Sequence, residues 1–237
     1  MVNRHTARKI RKIHRYMGLF LGIQFLFWTI SGLYFSWTDI DNIHGDHFKN
    51  LKYRPKAFKN LIAPSELKHS DGIRDIEIRD IDGVPFYWIN NDKLYNALDG
   101  TVKSGVSEKE ALYIANTRMK DELEVSKIFL IDKVGKHHEY REKLLPAYVI
   151  SYKGDDNLKA YVSVIDGKFQ TVRHRSWRIF DFLWMTHTMD YEGRDNFNTT
   201  VLRAFSLLGL ITVFSGFILW YVSSTSIIKL KKRLKRN

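Results

Sequence analysis

Two long runs of uncharged residues lie near the two ends of this chain, and each adjoins basic sequence. The first run has 23 residues between Arg15 and Asp39, and the second has 25 residues between Arg203 and Lys229. As an α-helix, either run is long enough to cross the roughly 30 Å hydrocarbon core of a bilayer. The sequence therefore predicts two transmembrane helices, and the lipid bilayer is the first partner that it implies.

The excess positive charge of the chain is concentrated outside these runs. The 237 residues include 38 Lys and Arg against 26 Asp and Glu, a net charge of +12. Residues 1–15 hold six basic residues, residues 229–237 hold six more, and neither stretch has an acid. The remaining charges balance, so no basic surface for nucleic acid is expected. Because Lys and Arg collect on the cytoplasmic side of spanning helices, both termini are predicted to be cytoplasmic and the middle of the chain to be exported.

The first run is predicted to be an uncleaved anchor rather than a signal peptide. Its apolar stretch is longer than the roughly 7–15 residues of a signal sequence, and it ends in the bulky residues Tyr34, Phe35 and Trp37. The expected location is the inner membrane of a bacterium, with the exported middle in the periplasm.

The exported middle shows a repeated α+β pattern. From Pro64 to Gly100, and again from Val106 to Gly167, a helical start is followed by short β-type runs and an Asp-Gly turn. The second copy is clearer, because Ser107 can cap a helix that has Glu108 and Glu110 in its first turn. The predicted strands are 86–89 and 93–98 in the first copy, and 127–131, 147–152 and 159–165 in the second.

The segment before the second run is predicted to form an amphipathic helix. Within residues 176–191, helical spacing brings two polar and four apolar side chains onto one face, as in a helix that lies on the outer membrane surface. These side chains are Trp177, Phe180, Leu183, Trp184, His187 and Thr188.

Several motifs resemble the PepSY-associated transmembrane family. The opening Arg11–Leu19, with His14-Arg15-Tyr16, and the later Ser31-Gly32-Leu33 are similar to its first membrane helix. The segment from Trp177 to His187, then Gly193-Arg194 and Ser215-Gly216, is similar to its second signature, although Thr186 replaces the usual Leu. The helix at Ser107 with the Asp166-Gly167 turn resembles a PepSY domain. Larger members have four or more spanning helices, whereas this chain offers two.

The resemblance and the residue patterns together predict an α+β membrane protein with two transmembrane helices flanking an exported PepSY-like domain. Four segments are expected. They are a basic cytoplasmic tail with the first span at 1–38, a tandem PepSY-like periplasmic domain at 39–175, the interfacial amphipathic helix with a loop at 176–198, and the second span with a basic cytoplasmic tail at 199–237.

The resemblance implies two alternative functions. Some members look like iron-regulated, heme-containing ferric-siderophore reductases, which implies heme b, electron transfer across the membrane and a ferric-siderophore substrate. PepSY domains elsewhere are linked to peptidase inhibition, which implies a non-catalytic anchor that binds a peptide, a protease or a membrane partner. The sequence shows no flavin or nicotinamide motif, so the first alternative needs a separate electron donor.

The candidate heme ligands are His14 and His187. A stripe of mainly small residues runs from His14 along the first helix within an arc of about 80°. The candidate small residues around a heme are Gly18, Gly22, Gly32 and Gly216. The stripe is compatible with plain helix packing or with clearance for a flat macrocycle. His14 equally suits contact with phosphate headgroups, and His187 equally suits an ordinary hydrogen-bonded histidine.

The two histidines are too far apart to bind one iron, because a membrane thickness separates them. A homodimer would pair His14 with its own copy and would restore four helices, although other membrane subunits are an alternative. His187 could pair with its own copy, with His44 or with His47. A third possibility is a metal ion held by His44, His47 and Asp46, although such a loop is often only solvated.

Overall fold

The computed structural model describes residues 4–68 and 72–224, and these residues form five α-helices and eight β-strands. The helices are α1 (Arg4–Trp37), α2 (Ile40–Ile43), α3 (Glu108–Arg118), α4 (Arg175–Thr188) and α5 (Thr200–Ser223). The strands are β1 (Ile76–Ile81), β2 (Val84–Ile89), β3 (Lys93–Asn96), β4 (Val102–Lys103), β5 (Val125–Ile131), β6 (Ala147–Tyr152), β7 (Lys159–Ser163) and β8 (Phe169–Arg173).

The chain divides into two compact units. The helical unit consists of Met1–Trp37 with Asp181–Asn237, and the α+β unit consists of Thr38–Phe180. Two helical segments, Arg8–Trp37 and Thr200–Tyr221, are long and apolar enough to cross a membrane. The structure thus confirms two apolar helices at the two ends of an α+β region. The predicted C-terminal basic tail at 229–237 lies outside the described residues.

The α+β unit contains two antiparallel four-stranded sheets with the same simple order, β1-β2-β3-β4 and β5-β6-β7-β8. One face of each sheet packs on α3, and they share a core that includes Trp88, Leu94, Ala111, Ile150 and Val162. The predicted cap of α3 is confirmed. Ser107 Oγ accepts from the Glu110 N–H, and the Glu110 carboxylate accepts from the Ser107 N–H.

The two predicted Asp-Gly turns have the same backbone hydrogen bonds. The Gly100 and Asn96 N–H groups donate to Asn96 O and Thr101 O across the first Asp-Gly turn. The same two bonds recur 67 positions later, from Gly167 to Ser163 and from Ser163 to Lys168. Both turn glycines have positive φ, 77° and 62°, which glycine adopts without a Cβ penalty.

The predicted pattern is incomplete in two respects. Each Asp-Gly turn does not close its unit but leads into a fourth strand, β4 or β8, and β1 also precedes the first predicted strand. The expected helix of the first copy is reduced to a 3-10 turn at Pro64–Glu66 among the described residues. Only a short segment separates this turn from β1. Gly72, in that segment, has a φ of 68°, which does not occur in a right-handed helix.

Candidate functional site

The two candidate ligands, His14 and His187, occupy matching environments in the helical unit. The Nδ1 atom of His14 lies 2.7 Å from the Ser215 hydroxyl on α5. The Nδ1 atom of His187 lies 2.7 Å from the Ser31 hydroxyl on α1. Both serines belong to the Ser-Gly pairs that carried the family resemblance, so each Ser-Gly pair holds one histidine.

Each serine hydroxyl that contacts a histidine also contacts a carbonyl of its own helix. Ser31 Oγ lies 2.6 Å from Phe27 O, and Ser215 Oγ lies 2.7 Å from Thr212 O. If each serine donates its single hydrogen to that carbonyl, it accepts from the histidine, which places a proton on Nδ1. In a neutral imidazole Nε2 is then the atom available to a metal. Neither Nε2 atom forms a hydrogen bond with residues 4–68 or 72–224.

The two histidines differ in their remaining contacts. The His187 ring packs edge-on against Phe35, with the centroids 5.5 Å apart, and its burial lowers its pKa. The His14 ring lies against Gly216, where an added Cβ would be 3.2 Å from Cε1. Seventeen residues of α1 separate His14 from Ser31, which is about 25 Å along the axis. The structure therefore keeps the two imidazoles apart, as the sequence predicts.

The candidate glycines fall into two groups. Gly216 makes room for the His14 ring, so its small size serves packing within this chain. Gly18, Gly22 and Gly32 have no atom of the described chain within 4 Å of an added Cβ. The predicted stripe on α1 is thus divided: His14 contacts α5, whereas these three glycines have open space beside them.

The end of α4 packs along α1 through hydrogen bonds from two α1 side chains. Gln24 Nε2 donates to Thr186 O at 3.1 Å, and Trp28 Nε1 donates to His187 O at 2.7 Å. The last carbonyls of a helix lack partners within it, and these two donors supply them. With Ser31, they form a polar i, i+4, i+7 ladder that holds the last turn of α4 and its histidine.

The predicted helix before the second run is present as α4. His187 at its end contacts Ser31, six residues before the end of α1 at Trp37, or about 9 Å along the axis. The placement of α4 on the outer membrane surface stays a prediction.

The loop after α4 is fastened by a buried ion pair. Arg194 Nη1 donates to Asp181 Oδ2 on α4, and the Asp181 side chain is only 7% exposed. Arg194 has a φ of 77°. An added Cβ at Gly193 would lie 3.1 Å from an Asp190 carboxylate oxygen. The Gly193-Arg194 pair of the family signature therefore shapes this loop.

Asp190 organises the same loop through its carboxylate. Its oxygens accept from the backbone N–H groups of Glu192, Gly193 and Asn196. Burial would raise the pKa of Asp190, but these hydrogen bonds outweigh burial and lower it. The loop thus keeps a charged carboxylate beside the helix that carries His187.

The three candidate metal ligands are not brought together. Asp46 pairs with Lys49 at 2.7 Å, and exposed His44 ends α2. The His47 ring lies edge-on to His174, with the centroids 5.3 Å apart, and His174 Nε2 donates to Ile43 O at 3.2 Å. No group of three His, Asp or Glu side chains suited to a metal occurs in residues 4–68 and 72–224.

Sequence reasoning missed the partners of both histidines. Gln24, Trp28 and Ser31 stand at i, i+4 and i+7 in an otherwise apolar helix, and this spacing was the available signal. Asp181 was a second signal, because a carboxylate within an amphipathic helix needs a partner for its charge. Ser215 and Arg194 carried no signal beyond their place in the family motifs.

Comparison with known proteins supports the resemblance. The model of the family described as the PepSY-associated TM region matches residues 1–223. No curated protein and no solved structure matches the chain. The match spans both apolar helices, both sheets and the two histidine–serine pairs, and the chain belongs to the PepSY-associated TM region family.

Proposed function

We propose that this protein is a heme b protein of the bacterial inner membrane that passes electrons outward to a ferric substrate used in iron uptake. The observation that carries the proposal is the pair of histidine–serine hydrogen bonds. Both imidazoles have Nδ1 at 2.7 Å from a serine hydroxyl that also contacts a helix carbonyl, and neither Nε2 forms a hydrogen bond within the described residues. Metal-ligating histidines are typically held in this way.

The chain supplies one possible axial heme ligand at each of two positions along α1. His14 would hold one heme and His187 a second, about 25 Å apart along α1. A heme bound there would supply a one-electron carrier. The serines fix the ring orientation of each ligand, and Phe35 and Gly216 shape the surroundings of the two rings.

A homodimer would complete both sites. A two-fold axis brings the same residue of two copies together, so a second His14 and a second His187 would supply the remaining axial positions. Gly18, Gly22 and Gly32 leave the adjoining face of α1 without neighbours in the described chain. Small residues let helices approach closely in a bilayer, and this face would receive the second copy.

The proposed orientation places both termini in the cytoplasm and the α+β unit in the periplasm. Residues 4–15 of α1 carry six basic residues and no acid, as expected for the cytoplasmic end of a span. His14 then lies near the cytoplasmic side and His187 nearer the periplasmic side. Electrons would enter from a separate donor near His14 and leave near His187.

Removal of either serine should weaken its heme site. Ser31→Ala or Ser215→Ala leaves a histidine Nδ1–H without its acceptor, and loss of such a partner typically lowers metal affinity 10–100-fold. Heme affinity measured by titration of the apoprotein should fall by that factor, and the midpoint potential of the affected heme should shift. Ser→Thr at either position keeps the hydroxyl and should restore both values. Ser36→Ala removes an exposed α1 hydroxyl bound only to its own helix and should change neither.

The proposed reaction is tested by reducing the protein with dithionite, removing the excess dithionite without oxygen, and mixing the protein with a ferric chelate in a stopped-flow instrument. The reduced heme band should decay as Fe(II) appears in equal amount, detected with a ferrous chelator. Free heme in the same detergent gives the background rate. A loaded protein that reduces the ferric chelate no faster than this background would overturn the reductase assignment while leaving heme binding intact.

The α+β unit supports a second candidate, a non-catalytic anchor that binds a peptide. Strand β5 pairs only with β6, so one edge of this seven-residue strand has no strand partner in the described chain. An extended peptide can add to such an edge. If the protein acts only in this way, both histidines are dispensable, and Pro substitutions in β5 would abolish partner binding instead.

A further inference from the structure

A cavity of about 450 Å³ lies within the α+β unit, and none of the residues that line it belongs to the histidine–serine pairs. Three parts of the chain line it, namely the segment after α2, the end of α3 and the strand β8. Its volume falls in the range of small-molecule sites, about 300–1,000 Å³. The segment after α2 rests directly on β8, because a Cβ at Gly45 would lie 3.1 Å from a Val172 methyl.

The lining of this cavity is basic. His44, Lys49, Arg118 and Arg173 all line it, and none of the residues that line it is acidic. Lys49 is bound to Asp46, so its charge is offset. The two arginines are the other permanently charged residues of the lining.

Both guanidinium groups are held in place by aromatic rings. Arg118 lies over the Tyr53 ring at 3.7 Å, and Arg173 lies over the Trp177 ring at 3.8 Å. Arg118 forms no ion pair with any residue in 4–68 or 72–224. Stacking reduces the rotamer freedom that a long side chain would lose on binding a ligand. Arg118 is thus a cation that is oriented before any ligand arrives and lacks a carboxylate of its own.

We propose that this cavity binds a small organic polyanion with two or more carboxylates. A planar guanidinium pairs with a carboxylate through two parallel hydrogen bonds, and Arg118 offers that group. Leu51, Tyr53 and Phe169 also line the cavity, and these surfaces suit the carbon skeleton of an organic acid better than inorganic phosphate. The assignment does not depend on heme and applies equally if the protein is only an anchor.

Calorimetric titration of the detergent-purified full-length protein with tricarballylate tests this site. Tricarballylate carries three carboxylates and lacks the hydroxyl that makes citrate a strong metal chelator. One molecule should bind per chain, and the affinity should fall as NaCl rises, because salt screens the attraction. Arg118→Gln should weaken binding at least tenfold. Lys127→Gln removes the same charge from β5, outside the cavity, and should change the affinity less than twofold.

Several outcomes would overturn the proposal. They are the absence of tricarballylate binding to the unaltered protein, equal effects of the two substitutions, and tighter binding of inorganic phosphate than of tricarballylate. The last result would reassign the cavity to phosphate groups. None of these outcomes bears on the heme spectrum, so failure here is distinguishable from failure of the proposed electron transfer.

Discussion

Arg194→Ala should lower the free energy of unfolding of the helical unit by about 3–5 kcal/mol. The substitution leaves the Asp181 carboxylate, only 7% exposed, without the guanidinium that neutralises it. Loss of one partner of a buried pair costs this much because the remaining charge has no compensation. Denaturation in detergent, followed by tryptophan fluorescence, measures the change, since Trp184 lies on the same helix as Asp181.

Two further variants separate the ion pair from the loss of an arginine side chain. Asp181→Asn combined with Arg194→Ala removes both charges and should recover at least half of the lost stability. Arg203→Ala removes an exposed arginine of the same unit that hydrogen-bonds Asn198, and should cost less than about 0.5 kcal/mol. A cost for Arg194→Ala no larger than that for Arg203→Ala would mean that the pair does not fasten the loop.

Glu139→Gln should destabilise the α+β unit by about 3 kcal/mol at pH 7. Burial would raise the pKa of Glu139, but hydrogen bonds from Arg178 at 2.6 Å and Tyr161 at 2.5 Å, with the charge of Lys159, lower it to about 2 from 4.5. A tenfold change in the acid dissociation constant between the folded and unfolded chains corresponds to about 1.4 kcal/mol. Because the folded-state pKa is lowered, the stabilisation is complete above pH 4.5 and is lost as the pH falls towards 2.

The pH dependence gives this prediction a distinct signature. The difference between Glu139→Gln and the unaltered chain should be constant from pH 7 to 5 and should disappear near pH 2, as measured by chemical denaturation at each pH. Glu124→Gln is the matched control, because Glu124 forms an exposed pair with Lys153 and should cause no measurable change. A difference that persists at pH 2 would show that packing of the Gln side chain, rather than charge, is responsible.

Features with a local cause were predictable from the sequence. The two apolar helices follow from the length of the uncharged runs, and the start of α3 follows from Ser107 and Glu110. The Asp-Gly pairs located both repeated turns, since a positive φ with a side-chain acceptor is a local requirement. The strands β4 and β8 escaped prediction because their stability comes from pairing with β3 and β7, and β4 has only two residues.

The candidate site was predictable in its residue types but not in its partners. His14 and His187 stood out by position and motif, whereas Ser31 and Ser215 entered only as parts of the family motifs. Their role depends on the rotation of α1 against α4 and α5, which the polar ladder of Gln24, Trp28 and Ser31 determines. Of the predicted stripe on α1, His14 and Phe25 contact α5, whereas an added Cβ at Gly18, Gly22 or Gly32 would meet no atom of the described chain within 4 Å.

The central claim is that His14 and His187 each hold a heme. It is tested most directly by the reduced-minus-oxidised absorption spectrum of protein purified in detergent from heme-replete cells. The unaltered chain should show a b-type α band, His14→Ala and His187→Ala should each lose about half of it, and the double variant should lose it all. His137→Ala, in an exposed loop, should leave the band unchanged. A featureless spectrum of the unaltered protein, or an undiminished band in the double variant, would contradict the assignment.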